Sequence, residues 1–203
     1  MIAIVDYDVG NITAVANMLL RLGVKSVITS DPKQIAVASK IILPGNGSFD
    51  ACMKNLKASG ILPVLQHRAL VDTVPLLGIC VGAQMLGHRS EEGVESGLGW
   101  INMTVQRFPA RPGFPVPHMG WCDVKPEQPQ HALLGQLEQD ARFYFVHSYH
   151  MAPTHSSDIL LKSSYGQEFA AAVAHNNLFG VQFHPEKSHR YGKQLLAAFA
   201  KYS

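Results

Sequence analysis

Apolar residues fall into two textures along this chain. Residues 2–5 form an unbroken apolar run, Asp6-Tyr7-Asp8-Val9-Gly10-Asn11 breaks it, and Ile12, Val15, Ala16, Leu19 and Leu20 then recur at helical spacing. That order predicts strand, turn, helix. Residues 27–29 and 40–43 predict two more strands, each closed by a proline-containing turn, with helices over 49–56 and 62–70 and a further buried strand at 75–79. Continuous apolar runs alternating with helices imply right-handed crossovers and a mostly parallel central sheet covered on both faces, an α/β fold.

From about Trp100 the texture changes. Residues 101–108, 119–124, 142–146, 159–163, 169–174 and 178–183 read as strands with few helices between them, so the C-terminal half should add antiparallel strands. Pro109, Pro112, Pro115 and Pro117 mark a loop that cannot be a central strand, and residues 194–202 read as a closing amphipathic helix. At 203 residues with no linker-like stretch, one domain over 1–203 is expected.

Composition narrows the functional classes. Hydrophobic residues at 47% against 16% charged support a buried core, and a net charge of +2 from scattered Lys and Arg gives no footprint for nucleic acid or an anionic membrane. No apolar stretch approaches the roughly 20 residues that span a bilayer, and the start lacks a leader pattern, so a cytoplasmic location is expected. Cys52, Cys80 and Cys122 are odd in number and widely spaced, which suggests neither a disulfide framework nor a zinc site. Ten histidines include no metal-binding spacing, and Gly45-Asn46-Gly47 lacks the remaining residues of a phosphate loop; no metal and no cofactor are expected.

Two motifs carry chemistry. Gly78-Ile79-Cys80-Val81-Gly82 is a G-x-C-x-G between a strand and a helical pattern, the cysteine counterpart of a nucleophile elbow. A sharp turn there would leave Cys80 exposed beside the backbone N–H groups of the following helix. The second motif is Gly180-Val181-Gln182-Phe183-His184-Pro185-Glu186. If Pro185 holds that segment extended, His184 and Glu186 share one face, so Glu186 can orient His184 and His184 can serve Cys80 as general base. Either motif alone also fits an ordinary buried cysteine or a surface histidine ahead of a helix capped by Ser188; the pair points to a Cys-His-Glu triad.

These motifs resemble those of the class I glutamine amidotransferases, and within them the glutaminase subunits of imidazole glycerol phosphate synthases. The resemblance spans nearly the whole chain: Ile4-Val5-Asp6-Tyr7 with Gly10-Asn11, Leu43-Pro44-Gly45-Asn46-Gly47, Gly78 to Gln84, Ser90-Glu91-Glu92-Gly93, Pro117-His118-Met119-Gly120-Trp121, Phe145-Val146-His147-Ser148-Tyr149 and Gly180 to Ser188. It implies that Cys80 is the nucleophile, His184 the base and Glu186 its partner. It implies that Gln84 and Glu92 hold the amino-acid end of glutamine, with Ser148 and Tyr149 lining the pocket. The strand Pro44-Gly45-Asn46-Gly47 and the Val81 N–H would stabilise the oxyanion, and Lys187, His118 and Trp121 would face a partner subunit.

What the resemblance further implies is ammonia made from L-glutamine and passed to a cyclase subunit with a βα-barrel fold, in a heterodimer that makes imidazole glycerol phosphate in histidine biosynthesis. Asp8, Asn46, Val81 and Cys122 stand where that pattern commonly has glycine, valine, leucine and asparagine. Asparagine tolerates left-handed backbone better than valine does, so Asn46 is expected to ease a turn of the oxyanion strand. The alternatives are a paralogue supplying ammonia for amidination of a bacterial surface sugar, a stand-alone cysteine hydrolase and an inactive scaffold subunit.

Overall fold

The computed structural model describes residues 1–9 and 11–202, so Gly10 in the first expected turn and Ser203 at the end of the expected domain lie outside the described residues. The N-terminal runs fold as β1 (Ile2–Val5), α1 (Ile12–Arg21), β2 (Ser26–Thr29), α2 (Pro32–Ala36), β3 (Lys40–Gly45), α3 (Phe49–Ala58), α4 (Leu62–Gln66), β4 (Leu76–Cys80) and α5 (Val81–Gln84). The second half supplies β5 (Met103–Arg107), β6 (His118–Asp123), β7 (Lys125–Pro126), β8 (Arg142–His147), β9 (Tyr149–Pro153), β10 (Ile159–Ser164), β11 (Glu168–His175), β12 (Leu178–Val181) and α6 (His189–Lys201).

The main sheet runs β2-β1-β3-β4-β12-β11-β10-β7, with β9 joining β11 to β5. Pairing is parallel from β2 to β12 and antiparallel beyond it. Strands β1, β4 and β12 are buried at every position, which is the burial of strands covered on both faces and explains their unbroken apolar runs. One hydrophobic cluster joins the parallel strands to Phe143, Phe145 and Phe169 of the second half. Among the described residues no helix is long and apolar enough to cross a membrane.

Several expectations change. The proline turns do not form: Asp31 caps a helix by accepting the Lys33 N–H at 2.9 Å with Pro32 at its first position, where a missing N–H costs nothing. Pro44 lies inside β3, opposite Ile79; β1 pairs with β3 only as far as Ile42, so Pro44 has a ladder on one side alone. The helix expected over 62–70 ends at Gln66 and widens into a π-helical turn, His67–Val71. Strands β7 and β9 were not expected, and α6 starts at His189 rather than Gln194.

Outside the main sheet, β6 and β8 form a two-stranded ribbon in which His118 lies directly opposite His147. Both are buried, and the His118 ring stacks between Tyr165, at a centroid distance of 4.0 Å, and Phe145, at 5.2 Å. Burial pushes His118 down to about 4 and His147 down to about 3, the latter despite a bond to the Tyr149 carbonyl. Folded values below the ordinary 6.5 mean that the unfolded chain takes up the extra protons. The neutral pair therefore stabilises the fold fully above about pH 6.5, and that contribution is lost as pH falls through 6.5 toward 4 and 3. We expect the two histidines together to lower stability by about 2.7 kcal/mol per pH unit between about pH 6 and 4.5, and His118→Phe, which keeps a ring in the stack, to flatten that slope by about half. Urea denaturation across that range measures it; equal slopes in both proteins would contradict the assignment.

Candidate active site

Three neighbouring strands of the parallel sheet end at one place. Cys80 closes β4, Gly45 closes β3 and pairs with Cys80, and β12, on the other side of β4, leads within three residues to His184. Ligand sites of parallel sheets form at such carboxyl ends. Cys80 has φ 54° and ψ −115°, left-handed backbone that a non-glycine residue adopts only under strain. Glycines make the turn possible by close approach: a Cβ on Gly82 would lie 2.0 Å from the Leu43 carbonyl oxygen, and one on Gly45 2.0 Å from the Gly82 nitrogen. The loop 44–47 is thereby held flush against the elbow.

Cys80 is not exposed, as the elbow motif suggested, but buried at 4%. The loop after β3 and the end of β12 close over it, with Gln182 Nε2 3.9 Å from its Sγ. The helix after it is a single turn, so its contribution is local N–H groups rather than a long helix dipole.

His184 Nδ1 lies 2.7 Å from Glu186 Oε1, with both side chains buried. The carboxylate can only accept, so Nδ1 carries the proton and Nε2 is left for Cys80. Pro185 does not hold the segment extended; Pro185–Lys187 is a 3₁₀ turn, which suits the fixed φ of proline and folds Glu186 back onto the imidazole. The turn is anchored on β8: the His184 N–H donates to the Tyr144 carbonyl at 3.0 Å, while the Ser188 hydroxyl donates to the His184 carbonyl at 2.6 Å and accepts the Tyr144 N–H at 3.0 Å. Ser188 holds this clasp instead of capping α6 with its side chain. Burial alone would push His184 down, but its bonds to Cys80 and Glu186 and their negative charge outweigh it and raise the imidazole to about 9.

Around this pair lie the residues expected to hold substrate. Gln84 is buried and gives Nε2 to the Gln182 Oε1 at 3.0 Å and to the Tyr149 carbonyl at 3.1 Å. With both amide hydrogens engaged, its Oε1 is left as an acceptor, the chemistry an ammonium group needs. Glu92 Oε2 accepts the Phe49 N–H at 2.8 Å, in the first turn of α3 just beyond the loop 44–47. Asp50 reciprocates by accepting the Val94 and Glu95 N–H groups at 3.1 and 3.0 Å, and these bonds hold its carboxyl below the ordinary range. Ser148 and Tyr149 are half-buried where β8 passes into β9.

Of the three residues expected to face a partner, Lys187 is exposed above the Tyr144 ring and Trp121 is 40% exposed, stacked on His189 with an interplanar angle of 2°. His118 is not on the surface: at 1% exposure it points inward to His147. Left-handed backbone in the oxyanion loop falls on Gly47, at φ 96°, and not on Asn46, so the tolerance expected of Asn46 is not used there.

Sequence reasoning missed four supports. The Tyr7 hydroxyl donates to the Pro44 carbonyl, and Cys52 Sγ donates to the Asn46 carbonyl at 3.4 Å, so the oxyanion loop is held at two carbonyls. Gln182 and Ser188 complete the set. Tyr7, Gln182 and Ser188 stood inside motifs already singled out; Cys52 gave no signal in the sequence. Among the described residues no group of three or more His, Cys, Asp or Glu side chains has metal-holding geometry.

Solved structures share this architecture. A putative GMP synthase subunit of Thermoplasma acidophilum superposes with a TM-score of 0.71 at 21% identity, covering 98% of this chain and 91% of that one. A chain of the PurLQS structure from Thermotoga maritima gives 0.72 at 19% identity, covering 99% and 97%. Sequence relatives are much nearer. The imidazole glycerol phosphate synthase subunit HisH 2 of Pseudomonas aeruginosa is 51% identical over 201 residues, 99% of each chain. Subunit HisH of Bdellovibrio bacteriovorus is 48% identical over 99% of this chain and 100% of its own, and subunit HisH 2 of Methanococcus maripaludis 45% identical over 99% of both. The family model described as "Glutamine amidotransferase class-I" matches residues 3–201. The elbow, the histidine-glutamate pair and these full-length matches agree, and the chain belongs to the class I glutamine amidotransferases, in the branch of the imidazole glycerol phosphate synthase HisH subunits.

Proposed function

We propose that this chain hydrolyses L-glutamine and delivers the ammonia, within the cytoplasm, to a βα-barrel cyclase subunit that makes imidazole glycerol phosphate in histidine biosynthesis. The observation that carries this reading is the assembly of Cys80, His184 and Glu186 at the ends of β4 and β12, with the imidazole already oriented at 2.7 Å from Glu186. Cys80 thiolate attacks the carboxamide carbon; the oxyanion meets the Val81 N–H and an N–H of the loop Gly45-Asn46-Gly47. The His184 imidazolium gives its proton to the departing ammonia, leaving a γ-glutamyl thioester on Cys80. His184 then takes a proton from water, whose attack releases glutamate and restores the thiolate–imidazolium pair. Gln84 Oε1 and Glu92 would hold the substrate's ammonium end, with Ser148 and Tyr149 along its side.

The names of the relatives support a partner chain, and so do Lys187 and Trp121, which remain exposed beside the site. Burial of Cys80 at 4% in the chain alone supports a resting state that the partner opens.

Four outcomes test this reading. Cys80→Ala should abolish glutamine hydrolysis while its complex with the cyclase still makes product from supplied ammonium; residual glutaminase activity would exclude Cys80 as the nucleophile. Because the His184 proton is needed for ammonia to leave, kcat/KM should hold through neutral pH and fall as pH rises through about 9. Glu186→Gln removes a charge that raises the imidazole, so it should keep part of the activity and move that alkaline limb to lower pH; an unmoved limb would remove Glu186 from the triad. A cyclase partner carrying its acceptor should raise glutaminase turnover at least tenfold, equivalent to about 1.4 kcal/mol, and equal rates with and without it would exclude the coupling.

A further inference from the structure

A polar chain runs from the half-buried Cys122 on β6 to the elbow, and its protons can be placed in only one way. The Tyr149 carbonyl can only accept, so His147 Nδ1, 2.8 Å away, carries a proton, and the neutral ring leaves Nε2 as an acceptor. His118 Nδ1 lies 3.0 Å from that Nε2 and must donate to it, which leaves His118 Nε2 as an acceptor in turn. Cys122 Sγ stands 3.2 Å from it, against 3.9 Å from the Ser164 carbonyl, so its S–H donates to the nearer His118 Nε2. Both imidazoles are held neutral by burial, so no second proton blurs the order. At the other end, the Tyr149 carbonyl also receives an amide hydrogen of Gln84, whose second hydrogen goes to Gln182 beside Cys80.

We propose that Cys122 and His118 are positioning residues of the glutamine pocket, acting through His147 and the Tyr149 carbonyl to keep Gln84 Oε1 turned toward the substrate. This rests on the glutamine-hydrolysing reading above. Without a donor at position 122, His118 Nε2 is left as a buried acceptor with no partner, while the Tyr149 carbonyl still fixes the tautomers of both rings. The His118 ring is then held at Nδ1 alone and shifts to recover a partner, pulling on His147. The bond from His147 to the Tyr149 carbonyl weakens, the carbonyl moves, and Gln84 loses one of the two bonds that fix its amide.

The test compares Cys122→Asn and Cys122→Ser, which keep a donor, with Cys122→Val, which fills the space without one, and with Cys122→Ala should the valine variant not fold. All are assayed in complex with the cyclase. Long-range proton–nitrogen NMR near pH 7.5 reads the tautomers of His118 and His147, and steady-state kinetics separates KM for glutamine from kcat. Wild type, Cys122→Asn and Cys122→Ser should show His118 protonated at Nδ1 and share one KM. Cys122→Val should keep that tautomer, show His118 Nε2 as an acceptor without a hydrogen bond, and raise KM by roughly fivefold or more, with kcat changed less. A wild-type His118 protonated at Nε2, or a Cys122→Val variant with unchanged KM, overturns the proposal. If the wild-type complex failed to hydrolyse glutamine, the function reading would fall, while the NMR measurement would still decide the relay.

Discussion

The site depends on one backbone contact, the seating of Gly82 under the end of β3. There the Leu43 carbonyl and the Gly82 nitrogen leave no room for a Cβ on either Gly45 or Gly82. That approach fixes the β3–β4 register through Gly45 and Cys80 and forces Cys80 into left-handed backbone. It also brings the oxyanion loop to the nucleophile. The strain at Cys80, about 1–3 kcal/mol for such a conformation, persists because buried parallel ladders on both sides of β4 over-determine the turn. A looser elbow would separate the thiol, the loop and the base.

Of the buried histidines, His118, His147 and His184 lie in this arrangement, and their surroundings give them different charge states. His118 and His147 see aromatic rings and each other, so desolvation prevails, at His147 over the opposing bond to the Tyr149 carbonyl, and both stay neutral. His184 is also desolvated, but Glu186 and Cys80 outweigh that cost and hold it protonated. A charged imidazole can give up a proton, whereas a neutral pair with fixed tautomers can only transmit orientation. The ribbon β6–β8 thus carries both kinds: His147 at the end of β8 and, anchored to Tyr144 of the same strand, His184.

The parallel half was legible because strands covered on both faces must be apolar throughout. Misreadings came where tertiary contacts override local preference. Asp31-Pro32 reads equally as a turn or a helix start, and only packing decides; Pro44 is admissible in β3 because β1 stops at Ile42. Strand β9, Tyr149-His150-Met151-Ala152-Pro153, mixes polar and apolar residues because the buried His150 bonds the Met151 carbonyl and Gln167. The triad was legible as residue types at the ends of apolar runs. Its supports were not, since Tyr7, Cys52 and Ser188 act through backbone groups that only the folded loops bring within reach, and His118 looks like a surface group until its ring is seen between Tyr165 and Phe145.

The held carbonyls limit how the oxyanion loop can respond to a partner. Tyr7 grips the Pro44 carbonyl and Cys52 the Asn46 carbonyl, while Gly45 is pressed against Gly82. The peptide between the two grips, joining Gly45 to Asn46, is the one whose rotation breaks neither bond, and its N–H makes no hydrogen bond among the described residues. Its rotation changes ψ of Gly45 and φ of Asn46, and Gly45, without a Cβ, takes up its share readily. A surface contact that turns this single peptide can complete the oxyanion site without disturbing the elbow. On the reading proposed above, a catalytic donor is worth several kcal/mol while a peptide rotation beside glycine costs little, so a small displacement at a partner face would suffice to couple the two subunits.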